Sequence, residues 1–261
     1  MRSWLAVLLT SLAVAPSGGT APTTAEPVRI LFLGNSYTAG QGSVADMVTR
    51  TAAARGGVVT TEQIAPGGYT LQGHYGNAAG SRDRIAAGGW DWVVLQEQSQ
   101  RPILDPELFF TYARLLDQDI RAVGARTLFF LTWAREWAPE SQVQLDQAYC
   151  SVAEELGTGV APVGMAWALA RERDSLIQLH ASDGSHQSGL GQYLLGMAFH
   201  RRLWDESPAG LPRDVSPYVT VTVEQALFLQ QVAVDAPAGC PTIFADGFES
   251  MDTSAWSLTV P

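Results

Sequence analysis

Residues 28–38 read VRILFLGNSYT, and this stretch decides the fold class because it joins a compact apolar run to a tight polar turn. The run over residues 28–33 ends at Gly34, which is typical of a strand buried inside a parallel sheet. A helical pattern follows from about Ser43 and stops at the glycine pair 56–57. The stretch therefore predicts a strand, a turn and a helix in succession.

The same alternation of apolar runs and helical patterns continues along the chain. Four further runs indicate strands, at residues 58–64, 92–96, 127–132 and 159–163. Strands that alternate with helices predict βαβ units, and right-handed crossovers then give an α/β protein with a three-layer α/β/α sandwich around a parallel sheet. In such sheets, functional residues gather at the carboxyl ends of the strands.

The composition limits the classes of protein to consider. The chain has 261 residues, a formal net charge of −10, and 46% hydrophobic residues, and all 16 of its basic residues are arginines. This length fits one sizeable domain or two small ones. A nucleic-acid binder would need a clustered basic face, and a spanning helix would need an apolar run of roughly 18 residues. We therefore expect no nucleic-acid partner and no stable insertion into a membrane.

The first 25 residues resemble a secretory signal peptide. Arg2 gives a positively charged N-terminal region, residues 4–15 are apolar, and small residues follow. Cleavage after Ala15 or after Ala25 would satisfy the requirement for small residues. We therefore expect a bacterial protein that is secreted or periplasmic.

The domain boundaries follow from this signal and from a change in composition near the C-terminus. We expect one domain over residues 26–239, in which residues 215–239 add one strand and one helix, and a short tail of unknown role over residues 240–261. Because an exported protein meets oxidising conditions, Cys150 and Cys240 are a candidate disulfide pair. Two free thiols are the alternative.

A serine, an aspartate and a histidine lie where nucleophilic catalysis would need them. Ser36 directly follows the first predicted strand, near a helix N-terminus that favours developing negative charge. Asp183 and His186 are three residues apart, so the carboxylate can hold one imidazole nitrogen while the other accepts a proton. Ser188 is a credible N-cap for the helix that follows. An ordinary turn serine and a surface Asp-His turn are the alternatives.

Two more segments supply hydrogen-bond donors at the same edge of the predicted sheet. Gly68 follows the second strand, where the absence of a side chain would let its backbone N–H approach a substrate. Gln96, Gln98 and Gln100 follow the third strand and carry side-chain amides. Donors aimed at one point form the oxyanion hole that acyl transfer requires.

These four segments together resemble the four motifs of the SGNH (GDSL-like) hydrolase superfamily, in the order that the family has them. The blocks are residues 34–38 (GNSYT), 68–70 (GYT), 96–99 (QEQS) and 183–186 (DGSH). The resemblance covers about residues 28–205. It implies a flavodoxin-like sandwich that hydrolyses esters with no metal or cofactor. It makes Ser36 the nucleophile, His186 the base, Asp183 its orienting partner, and the backbone of Ser36 and Gly68 oxyanion donors.

The third block departs from the family pattern, which has a Gly-x-Asn-Asp segment whose asparagine is a further oxyanion donor. A glutamine carries the same amide on one more methylene. We therefore expect Gln96 to take this role, with Gln98 and Gln100 as competitors.

The resemblance favours a secreted, monomeric serine esterase that removes acetyl groups from a carbohydrate or acts on a small-molecule ester. A lipase or lysophospholipase on the same fold is an alternative. So is a non-catalytic glycan-binding protein, because tryptophans such as Trp133 and Trp137 can stack on sugars. The spacing of His180, Asp183 and His186, with His74 as a fourth residue, also allows a zinc site, although no established zinc motif is present. Arg135 can bind an acidic group of the substrate or pair with Glu136.

Overall fold

The computed structural model describes residues 27–40 and 42–240 of the chain, in which strands and helices alternate. The strands are β1 (Val28–Leu33), β2 (Val59–Ile64), β3 (Trp92–Leu95), β4 (Arg126–Phe130) and β5 (Gly159–Ala161). The helices are α1 (Ser36–Ala39), α2 (Val44–Ala53), α3 (Leu71–Tyr75), α4 (Ser81–Ala86), α5 (Arg101–Leu104), α6 (Pro106–Ala122), α7 (Gln142–Glu155), α8 (Val163–Arg173), α9 (Gly189–Trp204) and α10 (Val223–Asp235). A 3₁₀ turn at Pro139–Ser141 precedes α7.

The five strands form one parallel sheet in the order β2-β1-β3-β4-β5. The chain steps from β1 to β2 on one side and then to β3 on the other, so the direction of winding reverses between β1 and β3. Such a reversal leaves a crevice at the carboxyl ends of the two strands, which is where open α/β sheets bind their ligands. The predicted α/β/α sandwich and its parallel sheet are confirmed.

The apolar run of β1 explains how the sheet is buried on both faces. Successive side chains of a strand point to opposite faces. Ile30 and Phe32 belong to the core beneath α2, α8, α9 and α10, whereas Leu31 and Leu33 belong to the core beneath α3, α4, α6 and α7. All four side chains are fully buried. A strand covered on both sides has no polar face, which is why residues 30–33 of β1 read as a continuous apolar run after the half-buried Arg29.

The C-terminal part of the domain differs in one respect from the sequence prediction. Residues 215–239 contain the expected helix, α10, which begins with a capping box between Thr222 and Gln225. The expected strand is absent from the described residues 215–222, where Val219 and Val221 are buried in irregular chain. Pro217 has no N–H for a ladder bond, and the buried valines pack against the helical layer instead.

A disulfide joins Cys150 on α7 to Cys240, the last residue that the structure describes, with a Cα–Cα distance of 5.5 Å. The predicted pairing is confirmed. The bond closes a loop with a sequence separation of 90 residues, which includes α8, α9 and α10. It therefore fixes the end of the domain to the helix that covers β4 and β5.

Removing this disulfide is expected to destabilise the fold by about 2–4 kcal/mol, because the unfolded chain regains the freedom that the long loop takes from it. Urea denaturation of the Cys150→Ala/Cys240→Ala variant measures the loss. A reductant should lower the midpoint of the wild-type protein and leave that of the variant unchanged. Equal stability of the oxidised wild type and the variant would contradict the expectation.

The predicted signal peptide, residues 1–25, lies outside the described residues, as do residues 241–261 of the predicted tail. Among the helices that the structure describes, none is both long and apolar enough to cross a bilayer.

Candidate active site

Ser36 lies at the carboxyl end of β1, where the chain turns into the short helix α1. Asn35 caps this helix, and its side-chain oxygen accepts a hydrogen bond from the N–H of Tyr37. The Asn35 side-chain amide donates to the carbonyl of Tyr69 at 2.9 Å, which ties the turn to the loop that follows β2. Ser36 is therefore held at the point between β1 and β3 where the winding of the sheet reverses.

The structure brings Ser36, His186 and Asp183 together, although Ser36 and His186 are 150 positions apart in the sequence. His186 Nε2 lies 2.8 Å from Ser36 Oγ, and His186 Nδ1 lies 2.5 Å from Asp183 Oδ2. Because an ionised carboxylate only accepts hydrogen bonds, Nδ1 carries the proton and Nε2 presents its lone pair to the serine hydroxyl. This is the arrangement of a nucleophile, a base and an orienting acid.

Asp183 is kept ionised by three hydrogen-bond donors. The imidazole of His186 and the backbone N–H groups of Ser185 and His186 hold the pKa of the Asp183 carboxyl well below its usual range. The two N–H groups reach Oδ1 at 3.0 and 2.9 Å, so Oδ2 is left for the imidazole. The carboxylate is thus fixed by its own turn and oriented toward the base.

A column of aromatic rings supports the turn that carries His186. Tyr37 stacks on Trp133 at 4.5 Å between ring centroids, and Trp133 stacks on Trp167 at 4.3 Å. Tyr37 also hydrogen-bonds to Ser185 Oγ at 2.8 Å, and Trp133 Nε1 donates to the Ser185 carbonyl at 2.9 Å. From the sequence, Trp133 was a candidate for stacking on sugars, but its side chain is fully buried in this column.

Two backbone N–H groups are available as oxyanion donors. Within the described residues, the N–H groups of Ser36 and Gly68 form no hydrogen bond. Gly68 is exposed and has a φ of 68°, a conformation that a residue with a side chain rarely adopts. The bond from Asn35 to the Tyr69 carbonyl holds the Gly68 turn beside Ser36. The predicted pair of backbone donors therefore lies on adjoining turns.

Gln96 is placed differently from the oxyanion donor that we expected. Its Oε1 accepts the N–H of Asn35 and the hydroxyl of Thr38, each at 2.9 Å, and its Nε2 donates to the carbonyl of Glu97. Since the Asn35 N–H can only donate, the amide oxygen of Gln96 has to face the nucleophile turn, which is the turn of residues 34–38 that carries Ser36. The side chain is fully buried, and a Cβ on Gly34 would come within 2.6 Å of its Oε1. Gln96 thus supports the turn from beneath, and its amide N–H points elsewhere.

The other two glutamines form hydrogen bonds within their own segment. Gln98 Oε1 accepts the N–H groups of Gln100 and Arg101 at 2.8 and 3.0 Å, which holds the start of α5. Gln100 Nε2 donates to the Ser99 carbonyl at 3.1 Å. These bonds give both residues a role in shaping the loop after β3.

His74 is a buried support of the nucleophile turn. Its Nε2 donates to the carbonyl of Gly34 at 2.8 Å, so Nδ1 accepts from the hydroxyl of Ser81 at 2.6 Å. Burial lowers the pKa of His74 to about 4, and the ring stays neutral above that pH. From its spacing alone, His74 was a candidate only as a metal ligand.

The four residues considered for a zinc site have separate roles in this fold. His180 Nε2 lies 3.0 Å from the Ala134 carbonyl, and burial lowers the pKa of His180. Asp183 binds His186, which in turn binds Ser36, whereas His74 lies beneath Gly34. Across residues 27–40 and 42–240, the structure contains no group of three potential metal ligands.

Glu97 is a fully buried carboxyl group beside the site, and sequence analysis gave it no role. Its Oε1 accepts the N–H groups of Leu71 at 3.2 Å and Gln98 at 2.6 Å, which joins the loops after β2 and β3. Its Oε2 is buried and has no partner within the described residues. Burial raises the pKa of Glu97 to about 7, so the group titrates near neutrality.

Replacing Glu97 with glutamine is expected to remove a pH dependence of stability. The folded protein holds this proton more tightly than the unfolded chain, so stability is lost as the pH rises from about 4.5 toward about 7. A shift of this size corresponds to about 3 kcal/mol. Glu97→Gln keeps the oxygen that accepts both N–H groups, and it cannot ionise. Unfolding free energies from pH 5 to 8 should therefore fall less for this variant than for the wild type.

The exposed Glu107→Gln substitution is the control for the change in charge, and its pH profile should parallel that of the wild type. Burial raises the pKa of Asp146 to about 6. Asp146 therefore contributes the same fall in unfolding free energy with rising pH to the wild type and to every variant. Identical profiles for Glu97→Gln and the wild type would contradict the expectation.

Comparison with known proteins gives structural relatives only. No protein-family model and no curated protein matches the sequence. A proposed SGNH hydrolase from Slackia heliotrinireducens is similar in structure, with 24% identity, a TM-score of 0.58, and coverage of 67% of this chain and 98% of that protein. A DUF4886 family protein from Bacteroides uniformis has 17% identity and a TM-score of 0.64, covering 80% and 93%. The psychrotrophic esterase EstA from Pseudoalteromonas has 13% identity and a TM-score of 0.52, covering 68% and 97%.

Proposed function

We propose that this chain, which has the SGNH hydrolase fold, is a serine esterase that hydrolyses a carboxylic ester through an acyl-enzyme. The observation that carries the proposal is the continuous hydrogen-bonded chain from Ser36 through His186 to Asp183. A serine hydroxyl is a weak nucleophile unless a base accepts its proton, and here the base is within hydrogen-bond distance and correctly protonated.

The geometry suggests how the residues act in turn. Ser36 Oγ attacks the ester carbonyl carbon while His186 Nε2 takes its proton, and Asp183 stabilises the imidazolium that forms. The N–H groups of Ser36 and Gly68 stabilise the negative oxygen of the tetrahedral intermediate. The intermediate collapses as His186 protonates the departing alcohol. Water then attacks the acyl-enzyme with His186 again as base, which releases the acid and restores Ser36.

We further propose that the substrate is an acetylated carbohydrate and that the protein is exported and monomeric. An exposed tryptophan, Trp137, packs on Gly184 in the catalytic turn, which consists of residues 183–186. At this position the face of the indole can stack on a sugar ring. The disulfide between Cys150 and Cys240 supports export, because such bonds persist in oxidising compartments.

A panel of esters tests the proposal. Acetylated sugars, aryl esters of increasing acyl length and a lysophospholipid are incubated with the pure protein, and acid release is measured. We expect acetyl esters of sugars to be hydrolysed fastest, and a fluorophosphonate probe to label the protein. Faster release from long acyl chains or from the lysophospholipid would favour a lipase. Sugar binding with neither hydrolysis nor labelling would make the protein a glycan binder.

A further inference from the structure

The segment that leaves β4 lies against the catalytic turn. The N–H of Glu136 donates to the carbonyl of Gly184 at 2.9 Å. A Cβ on Gly184 would come within 2.8 Å of Trp137 Cζ3, so the indole covers this glycine. Gly184 lies between Asp183, which hydrogen-bonds to His186, and Ser185, so the segment is held next to the turn of residues 183–186. Any group carried by residues 134–137 lies at the edge of the site.

Arg135 on this segment has few partners for a charged side chain. Its Nη2 lies 3.4 Å from Ser99 Oγ, and its Cζ lies 5.4 Å from the ring centroid of Trp137. Its Nε is buried and forms no hydrogen bond within the described residues, where no carboxylate lies within ion-pair distance of it. Six other arginines form ion pairs with carboxylates, namely Arg50, Arg82, Arg84, Arg114, Arg121 and Arg173.

The guanidinium of Arg135 lies close to the residue that follows the nucleophile. Burial raises the pKa of Tyr37, while the hydrogen bond to Ser185 and the charge of Arg135 act in the opposite direction. Tyr37 hydrogen-bonds to Ser185, and its ring lies 5.4 Å from that of His186. Because the bond from Glu136 to Gly184 holds this segment against the turn of residues 183–186, we infer that the positive charge can meet a substituent on the ester that Ser36 attacks.

We propose that Arg135 and Trp137 form a subsite for a sugar ring that bears a carboxylate, adjacent to the ester bond. The inference rests on the proposed esterase function and specifies its substrate as an O-acetylated uronic acid. The face of Trp137 stacks on the sugar ring, and the guanidinium of Arg135 donates to the planar carboxylate.

The charges around the subsite favour a ligand with one negative charge over a ligand with several. Asp183 and Glu136 lie on the same rim, and the whole chain carries a formal charge of −10. One unpaired arginine can compensate for one carboxylate, whereas a phosphate dianion or a densely charged polymer would meet net repulsion. A uronic acid, with a single carboxylate on the ring, fits this balance.

A matched pair of substrates tests the subsite. The three mono-O-acetyl isomers of methyl glucuronoside are compared with those of its neutral carboxamide, and an aryl acetate serves as a third substrate. In the wild type, kcat/KM should be about 10- to 100-fold higher for the acid than for the amide, as expected for charge-assisted hydrogen bonds. Arg135→Gln should bring this ratio close to one, and Arg135→Lys should keep part of it. Arg114→Gln, which removes a charge at an exposed ion pair, should leave the ratio at its wild-type value.

Trp137→Ala provides a second, independent measurement, because this exposed side chain contributes little to the core. It should lower kcat/KM for both sugar substrates relative to the aryl acetate. Hydrolysis of the aryl acetate with no preference for the acid, or a preference that Arg135→Gln leaves intact, would overturn the subsite alone. If the wild type hydrolyses none of the esters, the proposed function fails and the subsite fails with it.

Discussion

Replacing Ser36 with alanine is expected to lower kcat for ester hydrolysis by about 10⁶-fold, which is the scale on which a serine nucleophile contributes to acyl transfer. The side chain that forms the acyl-enzyme is lost, and His186 then has no hydroxyl to deprotonate. The fold should be unaffected, because Ser36 Oγ has its hydrogen bond at 2.8 Å to the half-exposed His186. Release of p-nitrophenol from its acetate, measured with enough protein to detect slow turnover, gives the residual rate.

Ser151→Ala is the matched control, since it makes the same change at an exposed position of α7. It should keep the wild-type rate and accept a fluorophosphonate label, whereas Ser36→Ala should do neither. Residual activity of Ser36→Ala within tenfold of the wild type would exclude Ser36 as the nucleophile.

Replacing Asp183 with asparagine is expected to lower kcat by about 10³- to 10⁴-fold while the geometry of the turn is kept. The N–H groups of Ser185 and His186 require an oxygen at the position of Oδ1, so the new amide nitrogen faces His186 Nδ1. His186 Nδ1 would then have to accept a hydrogen bond from this amide, and the imidazole proton would move to Nε2. The base would face Ser36 with its proton already in place.

This tautomer shift can be observed apart from the activity. The ¹⁵N chemical shifts of the imidazole should show the proton on Nδ1 in the wild type and on Nε2 in Asp183→Asn. The exposed substitution Asp214→Asn changes the net charge equally and should leave rate and tautomer unchanged. An Asp183→Asn variant with near wild-type kcat would show that the carboxylate does not orient the base.

The sequence predicted the architecture well because the central strands β1, β3 and β4 are largely buried and carry apolar residues on both faces. Residues 28–33 form β1 over the whole predicted range, since a compact run with five apolar residues out of six leaves few alternatives. The run at 159–163 was predicted too long. Pro162 precedes α8 and has no N–H to extend the ladder, so β5 ends at Ala161.

The site was predicted less completely, because the role of a polar side chain depends on residues that are distant in the chain. Ser36, Asp183 and His186 come together as their positions at strand and helix ends suggested. Gln96 could not be interpreted in the same way, because its amide orientation is set by a donor 61 positions earlier, at Asn35. His74 likewise acts through Gly34, 40 positions before it. Neither partner can be identified from local spacing.

The exposure of the catalytic pair has a consequence for the shape of molecule that can react. The side chain of His186 is 42% exposed and that of Asp183 is 50% exposed, so the base lies at the rim of the domain. An ester in the middle of a long chain can therefore reach Ser36 by lying across the edge of the sheet, without threading a free end into an enclosed tunnel. The same openness leaves the imidazole in contact with bulk water.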